Sequence, residues 1–120
     1  FDAAVSGASG FHYLANYGHD IYQREYEIEL GLPWENIEAW NRVDTLQGAG
    51  KVTTPTLFIG GADDWNVPIL NSEQFYQILK RRGVPTGLIV YPGEDHSIDR
   101  PSFYKDRFER YLGWYDKWVK

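Results

Sequence analysis

Short apolar runs alternate with longer amphipathic segments along the chain. Three runs, "DAAVSGAS" at 2–9, "PTLFIGG" at 55–61 and "GLIVY" at 87–91, are bounded by Gly or Pro. Short continuous apolar runs with such boundaries are typical of strands buried on both faces. The pattern therefore predicts three buried strands.

Two segments at opposite ends of the chain have a helical period. In 20–30, Tyr22, Tyr26 and Leu30 lie four residues apart, which predicts an amphipathic helix. Pro33 should end that helix, and a short helical turn through Trp40 is expected before a polar, Gly-containing loop over 41–54. From residue 101 onward a final helix with a broad aromatic face is predicted, formed by Tyr104, Phe108, Tyr111, Tyr115 and Trp118.

The most regular helical pattern covers 71–82. Asn71 is positioned to cap this helix with Gln74 three residues on, and Leu70 could pack on Phe75 as a hydrophobic staple. We expect Phe75, Ile78 and Leu79 to face inward, and Gly83 with Pro85 to end the helix.

The resulting order is a strand, a segment with helices, a second strand, a helix, a third strand and a final helix. Strands that alternate with helices form βαβ units, whose crossovers build a parallel sheet covered on both sides. The fold class predicted is therefore α/β.

Composition agrees with a folded domain and excludes several functions. With 120 residues, of which 42% are hydrophobic and 17% aromatic, the chain can bury a core. A net charge of -5 leaves no basic surface for nucleic acid, and no apolar run reaches the roughly 20 residues that span a bilayer. Zero cysteine excludes disulfides, thiolate metal sites and a Cys nucleophile, and is compatible with any compartment.

Candidate chemistry lies in the loops that follow the second and third strands. The first loop carries Asp63 and Asp64, and the second carries Glu94, Asp95 and His96. Functional groups gather beyond the carboxyl ends of strands in open parallel sheets. If the two strands are neighbours, an acid from the first loop faces the imidazole of the second.

Such a pair has a defined chemical use. An imidazole can take a proton from a hydroxyl and return it to a leaving group, and a buried carboxylate on its other nitrogen fixes the tautomer. The residues alone leave a second interpretation open, in which the acid is a solvated cap and His96 an ordinary surface side chain. A metal site built on His12 and His19 is disfavoured, because ligands on successive helical turns stand about four residues apart.

Three stretches carry a resemblance to a known family: "TPTLFIGGADDWNVP", "GVPTGLIVYPGEDH" and the helix ending "RYLGWYDKW". In this order they resemble the C-terminal part of the catalytic domain of the prolyl oligopeptidase family of serine peptidases. Within that family the chain is similar to the acylaminoacyl-peptidase and dipeptidyl-peptidase-like branches. The resemblance covers nearly the whole chain and is loosest over 10–47.

The resemblance implies an α/β-hydrolase fold with a triad in chain order Ser, Asp, His. In "DWNVP" the acid stands four residues before Pro68, as in the family, so Asp64 rather than Asp63 is implied as the acid and His96 as the base. The family usually has Gly after this histidine, and Ser97 departs from that pattern.

The implied nucleophile is missing from these residues. None of the five serines stands in a G-x-S-x-G turn, and Ser9 comes nearest, with Gly7 before it but Phe11 in place of the second Gly. A complete domain of this type needs roughly 200 to 250 residues. We therefore expect 1–120 to be the C-terminal part of the catalytic domain, and the serine to lie upstream of Phe1, in a preceding segment or a companion chain.

The implied activity is hydrolysis of short peptides through an acyl-enzyme, without a metal or other cofactor and without a nucleic acid or membrane partner. Asp64 and His96 would belong to this chain, which alone should be inactive. Two alternatives stay open: an esterase or other acyl hydrolase on the same scaffold, and a non-catalytic assembly module.

Overall fold

The computed structural model describes all 120 residues. The strands are β1 (Ala4–Gly7), β2 (Thr56–Gly61) and β3 (Thr86–Tyr91). The helices are α1 (Tyr13–Asn16), α2 (Gln23–Leu30), α3 (Ile37–Val43), α4 (Leu70–Arg81) and α5 (Pro101–Trp118), with a 3-10 helix at Leu46–Lys51. None of the helices combines the length and the hydrophobicity that a bilayer-spanning segment requires.

The three strands form one parallel sheet in the order β1-β2-β3. The predicted α/β class and the parallel pairing are therefore confirmed. In the register, Thr56 pairs with Thr86 and Gly61 with Tyr91. Because β2 and β3 end level with each other, the loops that follow them leave the same edge of the sheet side by side.

The central strand supplies core residues to both faces of the sheet. All six residues of β2 are buried, whereas no residue of β1 and only Tyr91 of β3 is buried, so the prediction of three buried strands is correct for β2 alone. Side chains alternate between the faces. Phe58 packs with Phe75 and Leu79 of α4 on one face, while Leu57 and Ile59 pack on the opposite face below α5. Burial of each large side chain contributes about 1.5–3 kcal/mol, so β2 holds the two helical layers together.

Helix α4 was predicted correctly in position and inward face, but its N-terminal cap was predicted wrongly. Phe75 and Leu79 are buried as expected, and Gly83 follows the helix at φ +74. The helix begins at Leu70, and no side chain caps it. Asn71 lies inside the first turn, where its Oδ1 accepts hydrogen bonds from the amides of Phe11 and His12 at 3.0 and 2.9 Å.

The loop predicted over 41–54 is partly helical. Helix α3 continues to Val43, and a 3-10 helix covers Leu46–Lys51. Ala49 of this helix is fully buried and packs in the cluster of Phe58 and Leu79. This distant apolar contact outweighs the preference of Gly48 and Gly50 for a loop, so the local sequence alone did not reveal the helix.

Helix α5 begins at Pro101 as predicted, but much of its aromatic face is exposed. The side chains that pack on the sheet are Phe103, Tyr111 and Trp114. Tyr104 and Phe108 remain 50% and 44% exposed. The aromatic periodicity therefore located the helix, but it overstated how much of that face meets the core.

Candidate active site

The loops after β2 and β3 are bonded to each other before either reaches its candidate side chain. The amide of Ala62 donates to the carbonyl of Tyr91, and the amide of Asp63 donates to the carbonyl of Glu94, both over 2.9 Å. Gly61 allows this close approach, because a Cβ at this position would overlap the carbonyl oxygens of Glu94 and Asp95. The two loops therefore form one joined edge.

Asp64 is held at this edge by its own loop. Its side chain is 1% exposed, and its Oδ1 accepts hydrogen bonds from the amides of Asn66 and Val67 at 2.9 and 2.8 Å. Amide donors stabilise a buried carboxylate and fix its plane. The second oxygen, Oδ2, is thereby turned towards the histidine loop.

The Nδ1 of His96 lies 3.0 Å from Oδ2 of Asp64. Donation of the Nδ1 proton to the carboxylate leaves the lone pair of the neutral ring on Nε2. Nε2 forms no hydrogen bond within the chain, and the His96 side chain is 45% exposed. The ring is thus oriented at one nitrogen and open at the other, as a general base requires.

Neighbouring polar side chains do not substitute for either member of this pair. The Asp63 side chain is exposed and forms no hydrogen bond within the chain. Oδ1 of Asp95 accepts the Ser97 amide at 3.0 Å and so forms a local turn. The choice of Asp64 over both neighbours is therefore the one that the geometry favours.

The backbone beyond His96 is strained at Ile98. Ser97 does not have a positive φ, but Ile98 has φ +54 and is 4% exposed. Positive φ is unusual for a β-branched residue and costs about 1–3 kcal/mol. Packing of Ile98 with Leu57 and Ile59 offsets this cost.

A cavity of about 240 Å³ opens beside the imidazole. Its lining comes from the end of β1, from β2, from the histidine loop and from α5: Gly7, Ala8, Ile59, His96, Ile98, Arg107 and Tyr111. No serine hydroxyl forms a hydrogen bond with His96. The hydroxyl of Ser9 instead contacts that of Ser6 at 2.8 Å and the carbonyl of Gly7 at 3.4 Å.

Two further contacts support the histidine loop, and sequence reasoning assigned neither of them. Glu94 is 5% exposed and accepts hydrogen bonds from the amides of Asp99 and Arg100. An acidic residue shortly before a helix N-terminus is a usable signal for such a contact. The amides that Glu94 accepts, however, lie five and six residues downstream of it, which is too far for a standard capping pattern.

The second contact joins the end of β3 to α5. The hydroxyl of Tyr91 donates to Asp106 at 2.8 Å, and Arg110 donates to the same carboxylate oxygen at 2.6 Å. The hydrogen bonds from Arg110 and Tyr91 lower the pKa of Asp106. Burial, together with the bond to Asp106, raises the pKa of the Tyr91 hydroxyl. The i,i+4 pair of Asp106 with Arg110 on α5 thus extends to the end of β3.

The other histidines occupy separate environments. Nδ1 of His12 contacts Asp44, whereas the ring of His19 lies 5.7 Å from that of Trp65. No group of three or more His, Cys, Asp or Glu side chains is arranged to hold a metal ion. Trp65 is 60% exposed, so it does not pack beneath the acid loop.

Sequence comparison finds relatives among acylamino-acid-releasing enzymes. The enzyme of this name from Arabidopsis thaliana is 34% identical over 86 residues, which cover 72% of this chain and 11% of that enzyme. Acylamino-acid-releasing enzyme 1 from Oryza sativa is 43% identical over 87 residues, covering 70% of this chain and 11% of that enzyme. The chain therefore spans about a tenth of the length of these relatives.

Structural comparison gives the same fold over the complete chain. The uncomplexed acylaminoacyl peptidase of Pyrococcus horikoshii superposes with a TM-score of 0.89 and 22% identity, covering 100% of this chain and 20% of that one. The three strands and their helices are thus part of an α/β-hydrolase fold. The model of the prolyl oligopeptidase family matches residues 1–120. The chain therefore belongs to the prolyl oligopeptidase family of serine peptidases.

Proposed function

We propose that Asp64 and His96 are the acid and base of a serine peptidase that hydrolyses short peptides. The observation that supports this role is the 3.0 Å contact between Oδ2 of Asp64 and Nδ1 of His96, with Nε2 left open. A carboxylate that is 1% exposed is a suitable partner, because it stabilises the imidazolium that forms during the reaction.

The chemistry follows from this arrangement. Nε2 of His96 removes the proton of a serine hydroxyl while the serine oxygen bonds to the carbonyl carbon of the substrate. The resulting imidazolium returns that proton to the leaving amine, and the C–N bond breaks to leave an acyl-enzyme. Water then loses a proton to His96 and attacks the ester, which releases the acid and restores the serine.

The serine in this proposal comes from outside these 120 residues. No G-x-S-x-G turn is present in the chain, and the hydroxyl of Ser9 is bonded to Ser6 and Gly7. We propose that the nucleophile precedes Phe1, in an upstream segment or a companion chain. Strand β1 supports this position, because it has a hydrogen-bonded neighbour on one side only and an additional strand could pair there.

Labelling of the purified protein with a fluorophosphonate, followed by mass determination, tests the proposal. A labelled serine in a polypeptide that contains or accompanies residues 1–120 is expected, and His96→Ala should abolish the label. Assay of matched amide and ester substrates then separates a peptidase from an esterase, since both use the same triad. Absence of any labelled polypeptide would instead support a non-catalytic assembly module.

A further inference from the structure

We infer that Glu94 is a positioning residue for His96, a buried carboxylate that sets the shape of the loop carrying the base. This inference rests on the proposed function, because it assumes that His96 acts in the reaction. Glu94 would not touch the substrate. It acts through the backbone on either side of the imidazole, as the contacts of its side chain and of its carbonyl indicate.

The carboxylate of Glu94 fixes the downstream half of the loop. Its Oε2 accepts hydrogen bonds from the amides of Asp99 and Arg100 at 2.5 and 3.1 Å, and its Oε1 lies 3.0 Å from Nε of Arg100. Glu94 is only 5% exposed, so these three donors replace the water that an ionised carboxylate would otherwise require. The span from 94 to 100 is closed on itself, with His96 inside it.

The backbone carbonyl of Glu94 fixes the upstream half. It accepts the amide of Asp63 at 2.9 Å, one residue before the acid that meets His96. The same carbonyl stands against Gly61, where a side chain would overlap it. A shift of residue 94 would therefore disturb the acid loop and the histidine loop together.

The strained residue of the loop lies between these two anchors. Ile98, at φ +54, follows His96 by two residues and precedes the Asp99 amide that Glu94 binds. A residue held in this conformation relaxes when its surroundings stop enforcing it. Loss of the Glu94 carboxylate should let 96–99 relax, and the ring of His96 would then leave Asp64, its one hydrogen-bond partner.

The test compares Glu94→Ala and Glu94→Gln with the matched control Glu109→Gln in the purified enzyme. Glu109 is 63% exposed and pairs only with Lys105 on α5. We expect Glu94→Ala to lower kcat by about 10- to 100-fold, as a misplacement of about 1 Å does, with KM nearly unchanged. Glu94→Gln keeps an acceptor oxygen and should lose less, while Glu109→Gln should match the parent protein.

A double-mutant cycle with Asp64→Asn separates positioning from general support of the fold. If Glu94 acts through the Asp64–His96 contact, Glu94→Gln should lower kcat much less in the Asp64→Asn background than in the parent protein. Hydrogen exchange should also become faster at the amides of Asp99, Arg100 and Asp63. The cycle uses the milder substitution, so it remains measurable if Glu94→Ala does not fold.

Four outcomes are decisive. An unchanged kcat in both Glu94 variants, or equal losses in the two Asp64 backgrounds, would overturn the positioning role. Normal activity of His96→Ala would instead overturn the proposed function, and with it the premise of this inference. A lowered kcat that disappears in the Asp64→Asn background would support the positioning role.

Discussion

Oδ2 of Asp64 and Nδ1 of His96 are 3.0 Å apart although 32 residues separate them in the chain. Two features bring them together: β2 and β3 end at the paired residues Gly61 and Tyr91, and the following loops exchange backbone hydrogen bonds. The contact is therefore a consequence of the sheet register. It places one carboxylate and one imidazole where a parallel sheet presents its functional groups.

Asp64→Asn should lower kcat by about 10⁴-fold with little change in the fold. The amide is nearly the same size, and its oxygen can still accept the amides of Asn66 and Val67. Its NH₂ would then face Nδ1 of His96 and donate to it, which favours the wrong tautomer, and no anion would stabilise the imidazolium. Steady-state kinetics on a short peptide substrate measure this effect. Asp63→Asn at the neighbouring position is the matched control. The Asp63 side chain is exposed and forms no hydrogen bond within the chain, so the kcat of this variant should stay within about twofold of the parent value. Equal losses in the two variants would contradict the assignment.

Gly61→Ala should separate the two loops and lower the free energy of unfolding by at least about 3 kcal/mol, because the new Cβ would overlap the carbonyls of Glu94 and Asp95. Urea denaturation and kcat measured on the same preparation check this effect. Gly113→Ala is the control, since open space surrounds this α5 glycine. It should raise stability by about 0.5–1 kcal/mol, because alanine favours a helix. Similar results for both variants would show that the loops are not in close contact at Gly61.

The sequence was sufficient for the features that depend on local periodicity. Short apolar runs located all three strands, although only β2 is buried along its whole length, and the spacing of Phe75 and Leu79 identified the inward face of α4. The carboxyl ends of β2 and β3 then brought Asp64 and His96 to one edge, as the strand order predicts. Each of these inferences uses residues close in sequence or a general rule of parallel sheets.

The features that were missed depend on partners far along the chain. Asn71 reads as a helix cap, but it binds backbone amides that lie 60 and 59 residues away. Ala49 reads as part of a loop, yet its burial with Phe58 orders a 3-10 helix. Local propensity cannot anticipate such contacts, because their free energy comes from tertiary packing. Glu94 was noted as an acid in the loop, but its role depends on how that loop closes.

Asn71→Ala should lower the free energy of unfolding by about 3 kcal/mol. The side chain is fully buried. Its Oδ1 accepts hydrogen bonds from the amides of Phe11 and His12, and its Nδ2 donates to Oδ1 of Asn16 at 2.7 Å. Truncation leaves those two amides unpaired, at about 1–3 kcal/mol each. Urea denaturation measures the loss. Asn41→Ala, at an exposed position of α3, should change stability by less than about 0.5 kcal/mol; an equally small change at Asn71 would show that water replaces its bonds.

The link between Tyr91 and Asp106 should stabilise the fold only within a defined pH range. Hydrogen bonds from Arg110 and, to a smaller extent, from Tyr91 lower the pKa of Asp106. Its contribution is therefore present above the unfolded value of about 3.9 and is lost as the pH falls through the lower, folded value. Burial raises the pKa of Tyr91, so its contribution is present below about 10 and is lost as the pH rises towards the higher, folded value. The stabilisation should therefore be constant between about pH 4 and 10 and decline on both sides.

Removal of the Tyr91 hydroxyl tests the acid and the alkaline limit of this pH range together. The difference in unfolding free energy between the parent protein and Tyr91→Phe, measured by urea denaturation across the pH range, should be largest on the plateau and shrink at both ends. Tyr115→Phe provides the comparison on α5, because that hydroxyl forms no hydrogen bond within the chain and its ring is 41% exposed. Its difference from the parent should stay small and independent of pH. A Tyr91→Phe difference that persists below about pH 3 would mean that Asp106 does not bind the Tyr91 hydroxyl in its ionised form.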